Sequence, residues 1–566
     1  MKLTGGQIVA KALRANGVDY VAGTPGDGSW ALVEALLSAG TEIPFIQVMQ
    51  EQSSVHIADG YFRACGRPMA VLLPVPLGIS KALGGIAAAW ADSSAILVIS
   101  TGGAEDDLPR LEGASDGHLP DALDSRITKG RLLVPTIEQL PQALRQAFDT
   151  MLSGCGGPVN VDIPVAVQSA SIELSLSPAT LRATSELQLA DPWLVERAAK
   201  ALCGAARPVI LVSGGIIAAD ASPQLLALAE RLLAPVVTTM QGKGAFAEDH
   251  PLSAGVIHQS GSSGGDHLLA SADVVLVLGC QPSHSLSQAR NGVRLAEQGD
   301  AQFIAIDSAP HERQGGHDSG IRITADIKSA LTDLVGAISS SPFKALQLRR
   351  TTYCREIAVL RKERESRLIE DSASDVPPLI IHKPLAELRA VLERDSILVV
   401  GGGSIQTAVS QMFPVYCPRT HLCAGSVGTM GWAIPAAIGA KLAMPARQVV
   451  CAVGQGDFLQ SMQEMAVCVM HSIPVVFLVF NSSGYVSLSD VQTPLVEQYR
   501  AGEFNLPDGK PYSPDFAGIA KNFGLDAWRV EHSSQLNPTF IKALNSKGPS
   551  LVEVITARVS RGRNET

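Results

Sequence analysis

The sequence predicts an α/β protein of three domains, in which two related parallel-sheet domains flank a doubly wound central domain. Three observations lead to this prediction. The chain has 566 residues, of which 46% are hydrophobic and 17% charged, so it can bury several large cores. Short β-branched runs alternate with Ala-rich helical stretches, which is typical of parallel sheets covered by helices. The order of elements near the start of the chain also recurs near its end.

Twelve short apolar runs are predicted to be buried strands. They lie at residues 20–22, 45–48, 69–73 and 96–99 in a first block, at 208–212, 235–238, 273–278 and 303–307 in a middle block, and at 397–400, 449–453, 475–479 and 551–554 in a last block. The Ser/Leu-rich segment near 169–188 and the charged, helical segment near 343–371 are interpreted as connectors. We therefore expect domains at residues 1–170, 190–340 and 376–556.

The first and last blocks share one order of elements over residues 56–99 and 435–479. Each has a helix with a central glycine (Gly60 and Gly439), a strand, a glycine-containing loop, a second helix and a second strand. Many α/β segments look alike at this level of detail, so chance similarity is one interpretation. Agreement over five elements in series favours the other, a duplicated domain with an unrelated domain inserted between the copies.

Composition restricts the partners and the compartment. The net charge of −9 argues against nucleic acid or an anionic membrane as the main partner. No apolar stretch approaches the 18 residues of a membrane span. The nine cysteines form no Cys-x-x-Cys pair or zinc-type cluster, and the N-terminus has no apolar leader. We therefore expect a cytoplasmic protein with reduced thiols.

Ligands of open parallel sheets bind beyond the carboxyl ends of the strands. The loops at 24–29, 74–81, 401–406, 454–458 and 481–485 are therefore the first candidates. Loop 454–458 reads Gly-Gln-Gly-Asp-Phe, in which glycines permit close approach and the following helix offers amides to an anion such as a diphosphate. A tight strand-to-helix turn accounts for the same pattern without any ligand.

Glu51 is the candidate catalytic residue. In the first turn of a predicted helix, a carboxylate interacts favourably with the helix dipole, which explains Glu51 without any function. The functional alternative is a desolvated carboxylate that hydrogen-bonds a ligand. Its position alone favours the first interpretation.

Taken together, these segments resemble the thiamine-diphosphate enzymes of the acetolactate synthase and pyruvate decarboxylase superfamily, over nearly the whole chain. The matching motifs, in order, are Gly23-Thr24-Pro25-Gly26, Glu51-Gln52 with Asp59-Gly60-Tyr61, Gln241-Gly242-Lys243-Gly244-Ala245-Phe246 with His250-Pro251-Leu252, and Gly428-Thr429-Met430-Gly431 with residues 434–440. The resemblance implies a pyrimidine-type first domain and a diphosphate-type last domain.

The resemblance also implies thiamine diphosphate and Mg²⁺, bound between the first domain of one subunit and the last domain of another, and hence a homodimer or homotetramer. Glu51 occupies the position of the glutamate that hydrogen-bonds the aminopyrimidine, and Met430 that of the side chain that bends the cofactor. The resulting ylide would attack a 2-keto acid or related carbonyl substrate, for decarboxylation, carboligation or both. The residues expected to contact the cofactor are Pro25, Gly26, Gly403, Ser404, Gly428, Met430, Gly456 and Asp457.

The chain departs from this family at the metal site. The family binds magnesium through the Asp of Gly-Asp-Gly and a later Asn, and these positions hold Gln455 and Ser482. Magnesium favours anionic oxygen ligands, so the replacements remove its carboxylate. Asp457 replaces a small neutral residue beside the diphosphate, and the Gly-Pro-Gly loop of the first domain is Pro76-Leu77-Gly78. Candidate metal ligands are Gln455, Asp457, Ser482 and Gly484.

Two functions remain open. The first is an acetolactate-synthase-like thiamine-diphosphate enzyme with a rebuilt metal site, in which Asp457 supplies the missing charge. The second is a homologue that has lost the cofactor and uses the same interdomain cleft as a cofactor-independent enzyme or a binding subunit. FAD is not supported, because Ser213-Gly214-Gly215 lacks the Gly-x-Gly-x-x-Gly fingerprint. The spacing among His56, His118, His258, His284 and His317 suggests neither a metal site nor a catalytic triad.

Overall fold

The computed structural model of the chain contains three six-stranded parallel sheets and one two-stranded antiparallel sheet. None of the helices in the described ranges combines the length and the apolarity that crossing a membrane requires. The described residues are 2–26, 28–38, 42–74, 77–101, 127–174, 177–183, 187–257, 263–280, 301–309, 320–339, 343–485 and 502–558.

The first sheet has the strand order β3-β2-β4-β5-β7-β6. Its inner strand β4 is buried at every residue, because helices cover both faces. Strands β1 and β8 pair separately, next to the first helix. The elements are β1 (Lys2–Thr4), α1 (Gly5–Ala15), β2 (Val21–Gly23), α2 (Trp30–Leu37), β3 (Phe45–Gln47), α3 (Glu51–Cys65), β4 (Met69–Leu73), α4 (Leu77–Ala91), β5 (Ile96–Ser100), β6 (Gly130–Leu133), α5 (Leu140–Leu152), β7 (Val159–Asp162), α6 (Val165–Ser169), β8 (Ser171–Glu173) and α7 (Pro178–Leu181).

The central sheet has the order β11-β10-β9-β12-β13-β14, a doubly wound arrangement. Its elements are α8 (Pro192–Gly204), β9 (Pro208–Val212), α9 (Gly214–Ala218), α10 (Ser222–Leu232), β10 (Val236–Thr238), β11 (Ser253–Val256), α11 (Ser263–Ala270), β12 (Val274–Leu278), β13 (Gln302–Asp307), β14 (Ile321–Thr324) and α12 (Ile327–Ser339).

The predicted charged connector is a single helix, α13 (Phe343–Asp371), with the bounds expected from the sequence. One buried cation docks it on the central sheet. The guanidinium of Arg350 is fully buried and donates hydrogen bonds to the backbone carbonyls of Leu202, Ala205 and Leu232. These carbonyls lie at the ends of α8 and α10, where the helix dipole favours a positive charge.

The last sheet has the order β16-β15-β17-β18-β20-β19. Its elements are α14 (His382–Val391), β15 (Ile397–Val400), α15 (Ser404–Met412), β16 (His421–Cys423), α16 (Ala433–Ala443), β17 (Val449–Gly454), α17 (Gln455–Ser461), a 3₁₀ turn (Met462–Glu464), α18 (Met465–Met470), β18 (Val476–Asn481), α19 (Phe516–Asn522), β19 (Asp526–Val530), α20 (Ser533–Leu544) and β20 (Ser550–Ile555).

The first and last sheets have the same topology, which confirms the predicted pair of related domains. In chain order within each sheet, both run second, first, third, fourth, sixth, fifth strand. The repeated helices α3 and α16 cross each other, and each central glycine faces the backbone of the opposite helix. A Cβ on Gly60 would overlap the carbonyl of Ala436, and a Cβ on Gly439 would overlap the carbonyl of Ile57. The two glycines therefore permit the close crossing that joins these two sheets.

All twelve predicted strands are present, each within two residues of its expected bounds. The strands that the sequence did not predict are β1, β6, β7, β8, β11, β14, β16 and β19. Five of these lie at sheet edges: β6, β11, β14, β16 and β19. Edge strands are short or half exposed, so they lack a continuous apolar run.

Candidate functional site

The candidate site lies at the carboxyl edge of the last sheet. Strands β15 and β17 are neighbours there, and the chain continues outward to β16 on one side and β18 on the other. This change of direction opens a crevice at the strand ends, where ligands of such sheets bind. The segments that follow these strands are Gly401–Ser404, Gly428–Gly431, the first residues of helix α17 (Gln455–Asp457) and Ser482–Gly484.

The segment 454–458 contains no free loop. Strand β17 continues to Gly454 and helix α17 begins at Gln455, so the tight strand-to-helix transition is the interpretation that the structure supports. The segment is also closed to solvent, because Gln455 is 1% exposed and Asp457 is 4% exposed. The side chains that the sequence predicts for the site, Gln455 and Asp457, lie in this segment, and the binding of an anion by its helix stays a prediction.

The Gln455 side chain connects α17 to the turn after β18. Its Nε2 donates to the carbonyl oxygen of Gly484 over 2.6 Å and lies 3.5 Å from the hydroxyl of Ser482. Its Oε1 accepts from the backbone N–H of Ser482 over 3.1 Å. Three of the four proposed metal ligands, Gln455, Ser482 and Gly484, are thus brought together. They are held by an amide hydrogen-bond network.

Asp457 is engaged with different partners. Its Oδ2 accepts from the N–H of Gly402 over 3.0 Å, and its Oδ1 accepts from the N–H of Gly431. Burial raises the pKa of Asp457 to about 6, while the two backbone hydrogen bonds act in the opposite direction. The carboxylate therefore occupies an anion site made of backbone amides from the turns after β15 and β16.

Further side chains close over this part of the site. The ring of Tyr485 packs directly on Gly456, where a Cβ would overlap it, and contacts Phe504 edge to face at 5.0 Å. Met430 is partly buried, and its Sδ lies 3.6 Å from Nε2 of Gln460. Gly403 has φ +88°, which favours glycine at the residue before α15.

The first domain's candidates lie at the carboxyl ends of β2 and β3. Glu51 is the first residue of α3, as predicted, and its side chain is 13% exposed. Its Oε1 lies 3.4 Å from Nζ of Lys81. Pro25 is exposed, and Gly26 makes a turn in which its carbonyl accepts from the Ser29 hydroxyl over 2.8 Å.

The changed loop Pro76-Leu77-Gly78 lies only partly within the described residues. Helix α4 begins at Leu77, and the N–H of Gly78 donates to the carbonyl of Pro74 over 2.8 Å. Pro76 lies outside the described residues, as do His118, His258, His284 and His317. His56 is buried, and desolvation lowers its pKa to about 4, so it is neutral near pH 7. Its Nε2 lies 3.0 Å from Nε2 of Gln52.

A buried network of polar side chains, which the sequence analysis did not predict, joins the first domain to the last domain. Asp59 on α3 accepts hydrogen bonds from Trp432 Nε1 over 2.6 Å and from Ser94 Oγ over 2.5 Å. Arg63 stacks on the Trp432 ring at 4.9 Å and lies 3.4 Å from Asp92, which in turn accepts from the N–H of Ser426. The motif Asp59-Gly60-Tyr61 was the one available signal for this network.

The network fixes residues 426–432, and therefore Met430, relative to Glu51 on the same helix as Asp59. Glu464 adds a second link, because its carboxylate accepts from the N–H of Met49 over 3.2 Å. Desolvation raises the pKa of Glu464 to about 7. These contacts are between domains of one chain.

A separate cavity of about 340 Å³ lies at the carboxyl edge of the central sheet. The turn at Ser213-Gly214-Gly215 lines it together with Gln241, Gly279 and Ser308, and the first and last domains contribute Asp92 and Arg419. The cavity depends on the meeting of three domains, so sequence patterns in the central domain alone do not reveal it.

The fold and site define a class of protein: a three-domain α/β protein with two duplicated sheets and a polar crevice at the edge of the last one. Three matches to family models cover most of the chain. Residues 3–124, 195–334 and 401–554 match the N-terminal TPP binding domain, the central domain and the C-terminal TPP binding domain of thiamine pyrophosphate enzymes.

Relatives match along the full length. The chain is 31% identical to the "Probable acetolactate synthase large subunit" of Methanocaldococcus jannaschii over 563 residues, which is 98% of this chain and 92% of that protein. It is 29% identical to the "Acetolactate synthase isozyme 1 large subunit" of Escherichia coli, covering 98% of this chain and 94% of that protein. The chain therefore belongs to the thiamine pyrophosphate enzyme family and is acetolactate-synthase-like.

A solved structure supports the fold. It is described as a "putative thiamin diphosphate-dependent enzyme isolated from Mycobacterium smegmatis" and superposes with a TM-score of 0.76 at 23% identity, covering 98% of this chain and all of that one.

The residues of the site fit the two ends of thiamine diphosphate unequally. A mostly buried carboxylate at Glu51 suits the pyrimidine end. The other end does not fit in the observed arrangement, because a magnesium ion needs oxygen ligands and the Gln455 amide presents hydrogen atoms to Gly484. Among the described residues, no group of three or more His, Cys, Asp and Glu side chains could hold a metal ion.

Proposed function

We propose that this chain acts on a 2-keto acid or related carbonyl substrate, making or breaking the carbon–carbon bond beside the carbonyl, as an acetolactate-synthase-like enzyme. The observation that supports this most directly is Glu51, which stands at the family's glutamate position in the first turn of α3 with a side chain only 13% exposed. Relatives that match along nearly their full length are named acetolactate synthases.

In this proposal Glu51 holds and moves the proton at the aminopyrimidine of thiamine diphosphate. Met430 and the turns at Pro25-Gly26, Gly403-Ser404 and Gly428 would be the residues that contact the cofactor. The bound cofactor supplies a nucleophilic carbon that adds to carbonyls. Nζ of Lys81 lies 3.4 Å from Oε1 of Glu51, so a cation stands beside the carboxylate on the first domain's side of the site.

The proposed active unit is a homodimer or a homotetramer. Within one chain, Glu51 contacts Lys81, whereas the hydrogen bonds of Gln455 and Asp457 are made with residues of the last domain. A second subunit would bring a Glu51 to each 455–457 segment, as the resemblance implies. Sedimentation at nanomolar protein tests this, since a monomer that keeps full activity contradicts the proposed assembly.

A second candidate function is favoured by one specific observation. Gln455 and Asp457 stand where the family binds the metal and the diphosphate. Both side chains make hydrogen bonds to other residues of the chain instead. A chain of this kind could use the interdomain cleft without thiamine diphosphate, as a cofactor-independent enzyme or a binding subunit.

Cofactor content and turnover distinguish the two. In the first measurement, the purified protein is denatured and the supernatant is analysed by mass spectrometry for thiamine diphosphate. In the second, consumption of pyruvate and longer 2-keto acids is followed with about 1 mM added cofactor. That concentration is roughly 10²–10³ times a micromolar Kd, so that a site of that affinity would be saturated. Cofactor-dependent consumption supports the first function. Consumption that ignores added thiamine diphosphate, with none bound, supports the second.

A further inference from the structure

The Gln455 amide and the Asp457 carboxylate make the contacts that a metal ion and a diphosphate would make. The amide N–H group takes the contacts of the cation, and the carboxylate takes those of the anion. A divalent cation in this turn would be bound by oxygen acceptors, and the acceptors at hand are the Gly484 carbonyl and the Ser482 hydroxyl. The partially positive Nε2 of Gln455 points at both, at 2.6 Å and 3.5 Å. An amide nitrogen is therefore placed where a cation would sit.

The anionic half is reproduced in the same way. A diphosphate at a strand edge is bound by backbone N–H groups from glycine-rich turns. The N–H groups of Gly402 and Gly431 point into the crevice, and both donate to the Asp457 carboxylate. Gly401 has no room for a Cβ because that space is taken by Oδ2 of Asp457, so the glycine turn is fitted around this carboxylate.

The remaining contacts hold this arrangement in place. The ring of Tyr485 lies against Gly456, between Gln455 and Asp457 in the sequence, and excludes other groups from that backbone. The Ser482 N–H donates back to Oε1 of Gln455, so the amide is fixed in one orientation. Both side chains are at least 96% buried.

We propose that the metal–diphosphate site of this chain is occupied by its own side chains, with the Gln455 amide in place of the cation and the Asp457 carboxylate in place of a phosphate. The last domain then completes its fold without a metal. Binding of magnesium and thiamine diphosphate has to break these buried hydrogen bonds first, and it is therefore weakened.

This inference is separate from the proposed reaction, because a weakened cofactor site and an active enzyme can coexist at high cofactor concentration. It concerns how the site is stabilised, and it is tested by binding and melting rather than by turnover.

The first experiment compares the unmodified protein with a variant that restores the family pattern, Gln455→Asp with Asp457→Ser and Ser482→Asn. Titration calorimetry with thiamine diphosphate in the presence of MgCl₂ should give the restored variant at least about 100-fold higher affinity, since it no longer has to break charge-assisted hydrogen bonds. Equal affinities, or tighter binding by the unmodified protein, would overturn the inference.

The second experiment uses Mg²⁺ alone and remains informative if the triple variant does not fold. Gln455→Glu replaces the amide donor with a carboxylate that faces the Gly484 carbonyl. We expect it to melt several degrees lower than the unmodified protein in EDTA and to recover with MgCl₂, whereas the unmodified protein does not respond to MgCl₂. Gln411→Glu, on helix α15 of the same domain, is the matched control and should not respond to the ion.

The inference is overturned if the unmodified protein is stabilised by MgCl₂ as much as Gln455→Glu is, or if Gln455→Glu melts like the unmodified protein in EDTA. Turnover separates it from the proposed function. Cofactor-dependent 2-keto acid consumption combined with equal affinities leaves the function standing and removes the inference. The expected melting behaviour without any turnover leaves the inference standing and removes the function.

Discussion

The carboxylate of Asp59 should be the most sensitive single group in the contact between the first and last domains. It is fully buried and accepts hydrogen bonds from Trp432 and Ser94, at 2.6 Å and 2.5 Å. The guanidinium of Arg63 lies 3.9 Å away. Asp59→Ala removes the acceptor and leaves these donors buried without their partner.

The magnitude follows from those contacts. Each unsatisfied neutral donor costs about 1–3 kcal/mol, and breaking a buried ion pair by removing one partner costs about 3–5 kcal/mol. Arg63 keeps a second carboxylate, Asp92, at 3.4 Å, which limits the loss from the ion pair. The two donors alone account for about 2–6 kcal/mol, and with the reduced ion-pair contribution we expect Asp59→Ala to destabilise the protein by at least about 3 kcal/mol.

The assay is thermal and urea unfolding followed by circular dichroism, with Asp59→Asn as the conservative variant. Asn keeps one oxygen acceptor and loses the charge, so its cost should fall between those of the unmodified protein and Asp59→Ala. Asp333→Ala, at an exposed position of helix α12, is the control and should change stability by less than about 0.5 kcal/mol. An Asp59→Ala protein that unfolds like this control would refute the reasoning, because it would show that the network contributes nothing.

Three further predictions concern the helix crossing, the pH dependence and the candidate base. Gly439→Ala places a methyl group against the Ile57 carbonyl and should force α3 and α16 apart, which lowers the free energy of unfolding by several kcal/mol. Gly336→Ala is the control, because Gly336 lies in an open and exposed part of α12, and it should raise the free energy of unfolding by up to about 1 kcal/mol. Thermal melting of the two variants measures the difference. Because the folded-state pKa of Glu464 is raised from 4.5 to about 7, its contribution to stability is fully present below pH 4.5 and is lost as the pH rises through 7. Glu464→Gln should therefore flatten the decrease in stability between pH 4.5 and about 7, which is about 1–3 kcal/mol, in urea unfolding at each pH. Glu51→Gln should lower cofactor-dependent 2-keto acid turnover by about 10²–10⁴ with unchanged melting, as measured by steady-state kinetics.

Each of these has a clear contrary result. Equal melting of Gly439→Ala and Gly336→Ala would show that the crossing tolerates a side chain. A Glu464→Gln protein with the same pH profile as the unmodified one would assign the pH dependence to other groups. Unchanged turnover in Glu51→Gln would remove Glu51 from the reaction.

Local sequence determined most of the architecture. The run Met69–Leu73 is apolar at every position and rich in residues that favour strands, which indicates an inner parallel strand covered on both faces. The charged stretch 343–371 has enough helix-forming residues over its length to specify one long helix. The edge strand β16 was missed because its three residues, His421–Cys423, are too short a run to predict a strand and form one only by pairing with β15.

For the candidate site, local sequence identified the residues but not their contacts. The sequence by itself supports the prediction that Gln455, Asp457 and Ser482 depart from the family's metal motif, because a motif is read along the chain. It does not show which groups they meet, since Gly402 is 55 residues from Asp457 and Gly484 is 29 residues from Gln455. Parallel strands bring their carboxyl ends to one edge, and only that tertiary arrangement puts the Asp457 carboxylate among the Gly402 and Gly431 amides and the Gln455 amide against the Gly484 carbonyl. The identity of these residues is a property of the sequence, but their pairing is decided by the fold.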